Sequence, residues 1–253
     1  CMAPIGALLL FNHAYFLGEA AYLVGLPLAF GAVAVFARLA SFGPRWLAFA
    51  LLTALTALSH IFALALLVGG VGCLVVCDYL PGRLRAPSPA GADVAARWSA
   101  VGMALVAMAA AGWWVLGHHG TSANTGDVVF DMSTWRLANV ITHPLGLPGG
   151  SSLAPLAAAG SLALLSLWAL FKSRELHSAF ALAAAGCLVL AWLGPAGIQE
   201  AYGFEDIGER FAIGALVFGL ASVRWPADDR RLLIAAMVVT IAWSGWKLSG
   251  TWQ

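Results

Sequence analysis

The chain has 253 residues, of which 61% are hydrophobic and only 10% are charged. A soluble domain carries about 25% charged residues, because its surface has to remain hydrated. The composition therefore argues against a soluble enzyme, a secreted disulfide scaffold, a disordered chain and a nucleic-acid-binding protein. It predicts an all-α, polytopic membrane protein, and the net charge of +1 adds nothing about partners.

The apolar runs set the number of membrane segments. A helix needs roughly 20 apolar residues to cross about 30 Å of hydrocarbon. Runs of suitable length cover 15–37, 98–116, 153–171, 178–195 and 232–249. Two further runs fit less simply, since 46–79 is too long for one span and 211–223 is short. A turn near His60 would divide 46–79 into two short helices, which gives a bundle of about eight membrane segments.

The distribution of basic residues favours this division. With a turn near His60, ten of the thirteen basic residues fall on one face, namely Arg38, Arg45, Arg83, Arg85, Arg97, Lys172, Arg174, Arg224, Arg230 and Arg231. With a single span over 46–79, every later loop changes side and this bias is lost. Because cytoplasmic loops carry an excess of Lys and Arg, the basic face is predicted to be cytoplasmic. We expect a multi-pass protein of the cytoplasmic (inner) membrane.

Two long polar loops are predicted on the outer face, over 117–152 and 196–210. Long loops on one side of a tight bundle usually carry function, so we expect the outer face to be the working surface. Residues 1–253 are interpreted as one transmembrane domain. Because the chain begins with Cys1 and no signal peptide precedes its first apolar run, we expect a fragment that lacks N-terminal spans.

Several ionisable residues are predicted to lie within the outer half of the membrane. Counted from the inner ends of their segments, His60 and Arg210 lie about 21 Å up, and Glu19 about 28 Å up. An ionisable group at this depth costs a few kcal/mol unless it faces a wet cavity or a partner. The sequence thus predicts an outward-open cavity lined by Glu19, His60, Glu209 and Arg210. In the alternative, Glu209 or Asp206 neutralises Arg210, and His60 caps a broken helix.

A histidine-rich stretch of the first outer loop raises the question of metal binding. It contains His118, His119, Asp127, Asp131 and His143. Adjacent histidines point in divergent directions on a regular backbone, and the spacing matches no known ligand set. A solvated loop is the better interpretation, and we expect neither a metal nor a cofactor.

A segment near the start of the chain resembles a known family. The residues YFLGEAAYLVGLPL at 15–28 are similar to the YFxGxxxYxxGLPLA segment of large bacterial membrane proteins related to the GT-C glycosyltransferases. The resemblance continues at Leu58-Ser59-His60 and at Gly208-Glu209-Arg210-Phe211, where those proteins carry SH and ERF-like steps. It implies a multi-spanning enzyme that transfers a sugar from a polyprenyl-phosphate donor at the outer membrane face. The acidic base of such enzymes usually lies in the first outer loop, near the N-terminus, and no residue of this chain matches it.

This chemistry assigns roles to the ionisable residues. Arg210, with His60, would stabilise charge on the departing phosphate, and a carboxylate would accept the proton of the acceptor hydroxyl. The candidate catalytic residues are Glu19, Asp206 and Glu209. The candidate substrate-binding residues are His60, His143 and Arg210. The expected partners are membrane lipids and a polyprenyl-phosphate sugar, with no nucleic acid.

Two other functions compete with sugar transfer. A transporter or flippase for a lipid-linked or anionic substrate would use the same buried arginine and glutamate, but it needs access from both faces. The near absence of charge in the inner half of the predicted bundle counts against it. A non-catalytic scaffold within a cell-envelope assembly is the remaining alternative.

Overall fold

The computed structural model describes residues 20–79, 93–119, 128–130, 153–195, 197–198 and 207–225, together with 231, 234–235, 238–239 and 242–243. Seven long α-helices make up most of this part of the chain. They are α1 (Ala20–Ala37), α2 (Pro44–Ser59), α3 (Ile61–Tyr79), α4 (Val94–His119), α5 (Leu153–Ser173), α6 (Ser178–Leu193) and α7 (Ile207–Ser222). The predicted helical class is confirmed for the described residues, apart from one very short β-ladder.

The predicted turn near His60 is confirmed. α2 ends at Ser59 and α3 begins at Ile61, because His60 adopts an extended backbone with φ −163° and ψ 135°. At its other end, α2 begins with Pro44 in the first helical turn. Proline is favoured there because the first helical N–H groups have no partner within the helix.

Two predicted loop boundaries are wrong. α7 begins at Ile207, so Glu209 and Arg210 lie in its first turn and not in the loop predicted over 196–210. A glutamate in the first turn favours the helix, because it complements the positive end of the helix dipole. α4 continues to His119, past the predicted loop start at 117. The backbone of α4 is therefore helical at His118 and His119.

A two-stranded antiparallel ladder connects the two predicted loops. β1 (Val128–Val129) pairs with β2 (Gly197–Ile198), with Val128 opposite Ile198 and Val129 opposite Gly197. The sequence predicts no strand here, because two residues are too few to show an alternating pattern. Most of the predicted segment 232–249 lies outside the described residues, and its described positions 234–235, 238–239 and 242–243 are helical.

α3 forms the centre of the bundle. It packs against α1, α2, α4, α6 and α7, while α6 and α7 pack along each other. Its buried side chains include Leu64, Leu67 and Val71. α5 joins the bundle through a second apolar cluster, in which Leu162 and Leu165 pack with Leu220 beside the end of α7.

Three of the described helices are long and apolar enough to cross a membrane. They cover Ile61–Tyr79, Val94–Val115 and Pro155–Ser173. The second and third expose large apolar side chains, and Trp113 and Phe171 are 81% and 79% exposed. Soluble proteins rarely expose continuous apolar patches of this kind, whereas lipid covers them without cost. The chain therefore has the character of a membrane protein.

The helices place polar residues at two opposite ends of the bundle. We name these the Arg210 end, marked by Tyr22, His60 and Arg210, and the Arg97 end, marked by Asp78, Arg97 and His177. Backbone hydrogen bonds connect neighbouring segments at the Arg97 end. The N–H of Asp93 donates to the carbonyl of Ala40 at 2.6 Å, and the N–H of His177 donates to the carbonyl of Ser222 at 2.7 Å.

Candidate functional site

His60 connects α2 to α3 and caps both helices. Its N–H donates to the carbonyl of Thr56 at 3.0 Å, and its carbonyl accepts the N–H of Leu64 at 3.1 Å. Its Nδ1 accepts the N–H of Phe62 at 3.2 Å. A ring nitrogen that accepts a hydrogen bond carries no proton, so this geometry selects the neutral tautomer protonated on Nε2. The backbone thus orients the imidazole and leaves Nε2–H as a donor.

Phe62 lies against both His60 and Arg210. The rings of His60 and Phe62 stack with centroids 5.7 Å apart and an interplanar angle of 28°. The guanidinium carbon of Arg210 lies 4.9 Å from the centroid of the Phe62 ring, which is a cation–π geometry. Phe211 packs edge-on against the same ring at 6.0 Å. One aromatic ring therefore gathers the imidazole and the guanidinium at the same end of the bundle.

Tyr22 connects α1 to this cluster. Its side chain is fully buried, and its ring stands edge-on to His60 with centroids 5.3 Å apart. Its hydroxyl donates to the backbone carbonyl of Arg210 at 2.6 Å. Through these contacts a single side chain positions both the turn at His60 and the first turn of α7.

Close packing at Gly25 sets the distance between α1 and the α2–α3 turn. A Cβ atom at this position would lie 2.6 Å from Oγ of Ser59 and 2.7 Å from Cβ of Ala63. The Ser59 hydroxyl cannot simply rotate away without losing its hydrogen bond to the carbonyl of Thr56, at 2.8 Å. Gly25 is about one helical turn from Tyr22. The absence of a side chain at Gly25 therefore lets Tyr22 reach His60.

Arg210 is a buried cation at the beginning of a helix. It is only 8% exposed and lies in the first turn of α7, where the helix dipole disfavours positive charge. Glu209, half-buried in the same turn, has the favourable sign. The face of Phe62 contributes about 0.5–2 kcal/mol of cation–π stabilisation to the guanidinium.

The side chains at the Arg210 end include the kinds of donor that bind oxyanions in proteins. A guanidinium donates several N–H groups in a planar arrangement that matches phosphate or carboxylate oxygens, and the Nε2–H of His60 is a further donor nearby. The low exposure of Arg210 strengthens its interactions, because water screens them little. The arrangement suits a phosphate that has to be held at the edge of an apolar environment.

The six residues predicted for the site have different outcomes. The structure brings His60 and Arg210 together on Phe62, and it places Glu209 beside Arg210 in the chain. The predicted Glu19, Asp206 and His143 lie outside the described residues. The expectation that His60 caps a broken helix is also correct, and the capping role coexists with its contact to Phe62.

The aromatic residues that assemble the site were not predicted from the sequence. Tyr22 and Phe211 lie within the segments that resemble the GT-C-related proteins, so their presence was noted without a role. Phe62 follows His60 by two residues, but an aromatic residue in an apolar run carries no signal of its own. The role of Phe62 depends on the angle at which α3 crosses α7, and that angle cannot be predicted from the sequence.

Among the residues that the structure describes, no three His, Cys, Asp or Glu side chains lie together as a metal site would require.

Comparison with protein-family models, curated proteins and solved structures finds no match for this chain.

Proposed function

We propose that this chain is a membrane-embedded glycosyltransferase-like protein that binds the phosphate of a polyprenyl-phosphate-linked sugar at the Arg210 end. One observation carries the proposal. The buried guanidinium of Arg210 lies on the Phe62 ring, against which His60 also stacks. A buried cation is costly in a membrane protein and commonly marks a substrate or ion site. The resemblance at 15–28, 58–60 and 208–211 supplies the class of reaction.

In this mechanism the acceptor hydroxyl attacks the anomeric carbon of the sugar, and the bond from that carbon to the phosphate oxygen breaks. The electron pair of the broken bond remains on the polyprenyl phosphate. Arg210 and the Nε2–H of His60 stabilise the charge that develops there. A carboxylate accepts the proton of the acceptor hydroxyl. Glu209 is the described candidate for this base, and Glu19 and Asp206 are candidates outside the described residues.

The proposed topology has about eight segments in the cytoplasmic membrane, with the Arg210 end and the two long loops outside. Three of the described helices are long enough to cross the membrane, and α1, α2, α6 and α7 are shorter, with 16 to 18 residues. The segment 232–249 is the eighth. In support, basic residues cluster at the Arg97 end, which the positive-inside rule assigns to the cytoplasm. They include Arg38, Arg45, Lys172, Arg174 and Arg224.

Donor consumption in membranes tests the proposal. Membranes that contain the native chain or Arg210→Gln are supplied with a polyprenyl-phosphate hexose, and the released polyprenyl phosphate is measured. Loss of one oxyanion donor commonly lowers turnover by about 10²–10³-fold, and we expect a decrease of this size. Arg224→Gln removes an exposed cation from the opposite end and should leave turnover unchanged. Equal turnover by the native chain and Arg210→Gln would refute the phosphate role.

Movement of the donor between leaflets distinguishes the competing transporter. If the native chain moves the labelled lipid across the membrane without releasing polyprenyl phosphate, the protein is a flippase and the transferase proposal is wrong. If it releases polyprenyl phosphate and leaves the distribution between leaflets unchanged, transfer is supported.

A further inference from the structure

A cavity lies at the Arg97 end, far along the bundle from the Arg210 end. Its volume is about 120 Å³, and its lining includes Ala37, Asp78, Arg97, His177, Ala179 and Phe180. These residues come from the ends of α1 and α3 and from the beginnings of α4 and α6. A water molecule occupies about 30 Å³ in the liquid, so the cavity has room for a small polar group.

An incompletely bonded ion pair lines this cavity. Nη2 of Arg97 donates to Oδ2 of Asp78 at 2.6 Å. Arg97 is only 9% exposed, and its guanidinium carbon lies 4.8 Å from the centroid of the Phe36 ring. Within the described part of the chain, Nη1 of Arg97 and Oδ1 of Asp78 are buried and have no hydrogen-bond partner. Proteins rarely bury such atoms without partners, so the pair calls for a group that both accepts and donates.

The beginning of α6 adds donors to the same cavity. His177 precedes the helix, but no side chain caps it. The N–H of Ala181 is the first that bonds back, to the carbonyl of His177 at 3.0 Å. The amides of Ala179 and Phe180 have no acceptor within the helix, and Ala179 is buried. A helix N-terminus with available amides favours an anion.

We propose that this cavity binds a phosphate group with an adjacent hydrogen-bond donor, either in a phospholipid headgroup or as free phosphate. The phosphate oxygens accept hydrogen bonds from Arg97 and from the amides of Ala179 and Phe180. The adjacent donor, which is an ammonium, a hydroxyl or a P–OH, bonds to Oδ1 of Asp78. Phosphate fits better than a carboxylate, because its tetrahedral oxygens can meet the helix amides and Arg97 together. Exposed Arg38 and Arg224 raise the local concentration of anions.

Competition between two lipids tests the headgroup source. The full chain is purified, equilibrated with equal amounts of phosphatidylethanolamine and phosphatidylcholine of identical acyl chains, and analysed by native mass spectrometry. Both lipids carry the same phosphate, but only the ethanolamine can donate to Asp78. We expect about tenfold preferential retention of phosphatidylethanolamine, the factor typical of one hydrogen bond to a charged group. Asp78→Asn should reduce this preference.

Inorganic phosphate tests the other source. Added to lipid-depleted protein, it should raise the unfolding temperature if free phosphate is the ligand, and it should also displace phosphatidylethanolamine. A lipid preference without any phosphate effect assigns the cavity to a headgroup. Equal retention of both lipids, together with no effect of phosphate on unfolding, would overturn the proposal.

Three variants separate binding from folding. Arg97→Gln should abolish the preference, but it also breaks the ion pair and could unfold the chain. Ala37→Leu fills the cavity from the end of α1 and leaves both charges in place, so it should also abolish the preference. Arg45→Gln is the matched control, because the exposed guanidinium of Arg45 donates to the carbonyl of Arg38 at 3.2 Å and, within the described residues, to no other group. A lipid preference that survives Ala37→Leu contradicts the assignment of the cavity.

Discussion

Replacement of Gly25 by alanine perturbs the contact on which the Arg210 end depends. The added Cβ would lie 2.6 Å from Oγ of Ser59, whereas ordinary contacts begin at 3.4 Å. α1 and the α2–α3 turn must therefore separate by roughly 0.8 Å, since van der Waals repulsion forbids the shorter distance. Ala63 prevents a sideways escape, because its Cβ would be 2.7 Å away.

The expected magnitude follows from two opposing effects. Extra volume in a packed core costs about 1–3 kcal/mol, while the exchange of glycine for alanine within a helix gains about 1 kcal/mol. Gly31→Ala on the same helix is the matched control, because its Cβ would lie 3.7 Å from the nearest side-chain atom of Leu52. The propensity gain is common to both variants, so their difference isolates the steric cost of about 1–3 kcal/mol.

Thermal unfolding of the two variants in one detergent provides the measurement. Gly25→Ala should unfold at a lower temperature than Gly31→Ala, and Gly31→Ala should equal or exceed the native chain. Because the separation also moves Tyr22 away from His60, Gly25→Ala should lower donor turnover as well. If Gly25→Ala is as stable as Gly31→Ala, the close packing of α1 on the α2–α3 turn is wrong.

Two further predictions concern the same bundle. Gly70→Ala should destabilise the chain by about 1–3 kcal/mol, because a Cβ there would lie 2.9 Å from an aromatic carbon of Phe218 on α7. Gly69→Ala is the control, because a Cβ at Gly69 meets open space, and this variant should be neutral or stabilising. Equal unfolding temperatures of the two variants would contradict the packing of α3 on α7. Tyr22→Phe should cost about 1 kcal/mol, since the carbonyl of Arg210 keeps its helical partner and loses only the hydroxyl. Tyr79→Phe is the control, because Tyr79 is exposed, and it should leave the unfolding temperature unchanged. If Tyr22→Phe also leaves the unfolding temperature unchanged, the hydrogen bond from Tyr22 to the carbonyl of Arg210 is contradicted.

Charge distribution and depth predicted the main features of the Arg210 end. The division of 46–79 at His60 followed from the side on which each basic residue falls, because the bilayer imposes that asymmetry on the whole chain. The similar depths of His60 and Arg210 followed from the rise per residue. Charge bias and depth both vary along one dimension, the membrane normal, and the observed helix ends at His60 and Arg210 agree with them.

Contacts across the bundle could not be predicted in this way. The position of Phe62 between His60 and Arg210 depends on the angles at which α3 and α7 cross, and many apolar residues have the same depth. The start of α7 was placed too late, at 211, because the charges of Glu209 and Arg210 interrupt the apolar run without interrupting the helix. Arg97 was counted only as a basic residue near the cytoplasm, so its pairing with Asp78 was missed.

The affinity of polyprenyl phosphate for the protein in lipid nanodiscs tests the central claim most directly. A hydrogen-bonded contact with a charged group contributes about 1.5–3 kcal/mol, so Arg210→Gln should raise the Kd by about 10–150-fold. Arg224→Gln, which removes an exposed cation paired with Glu175 at 2.5 Å, should bind like the native chain. Circular dichroism has to show unchanged helix content in both variants. An unchanged Kd in a folded Arg210→Gln protein would contradict the assignment of the Arg210 end as the phosphate site.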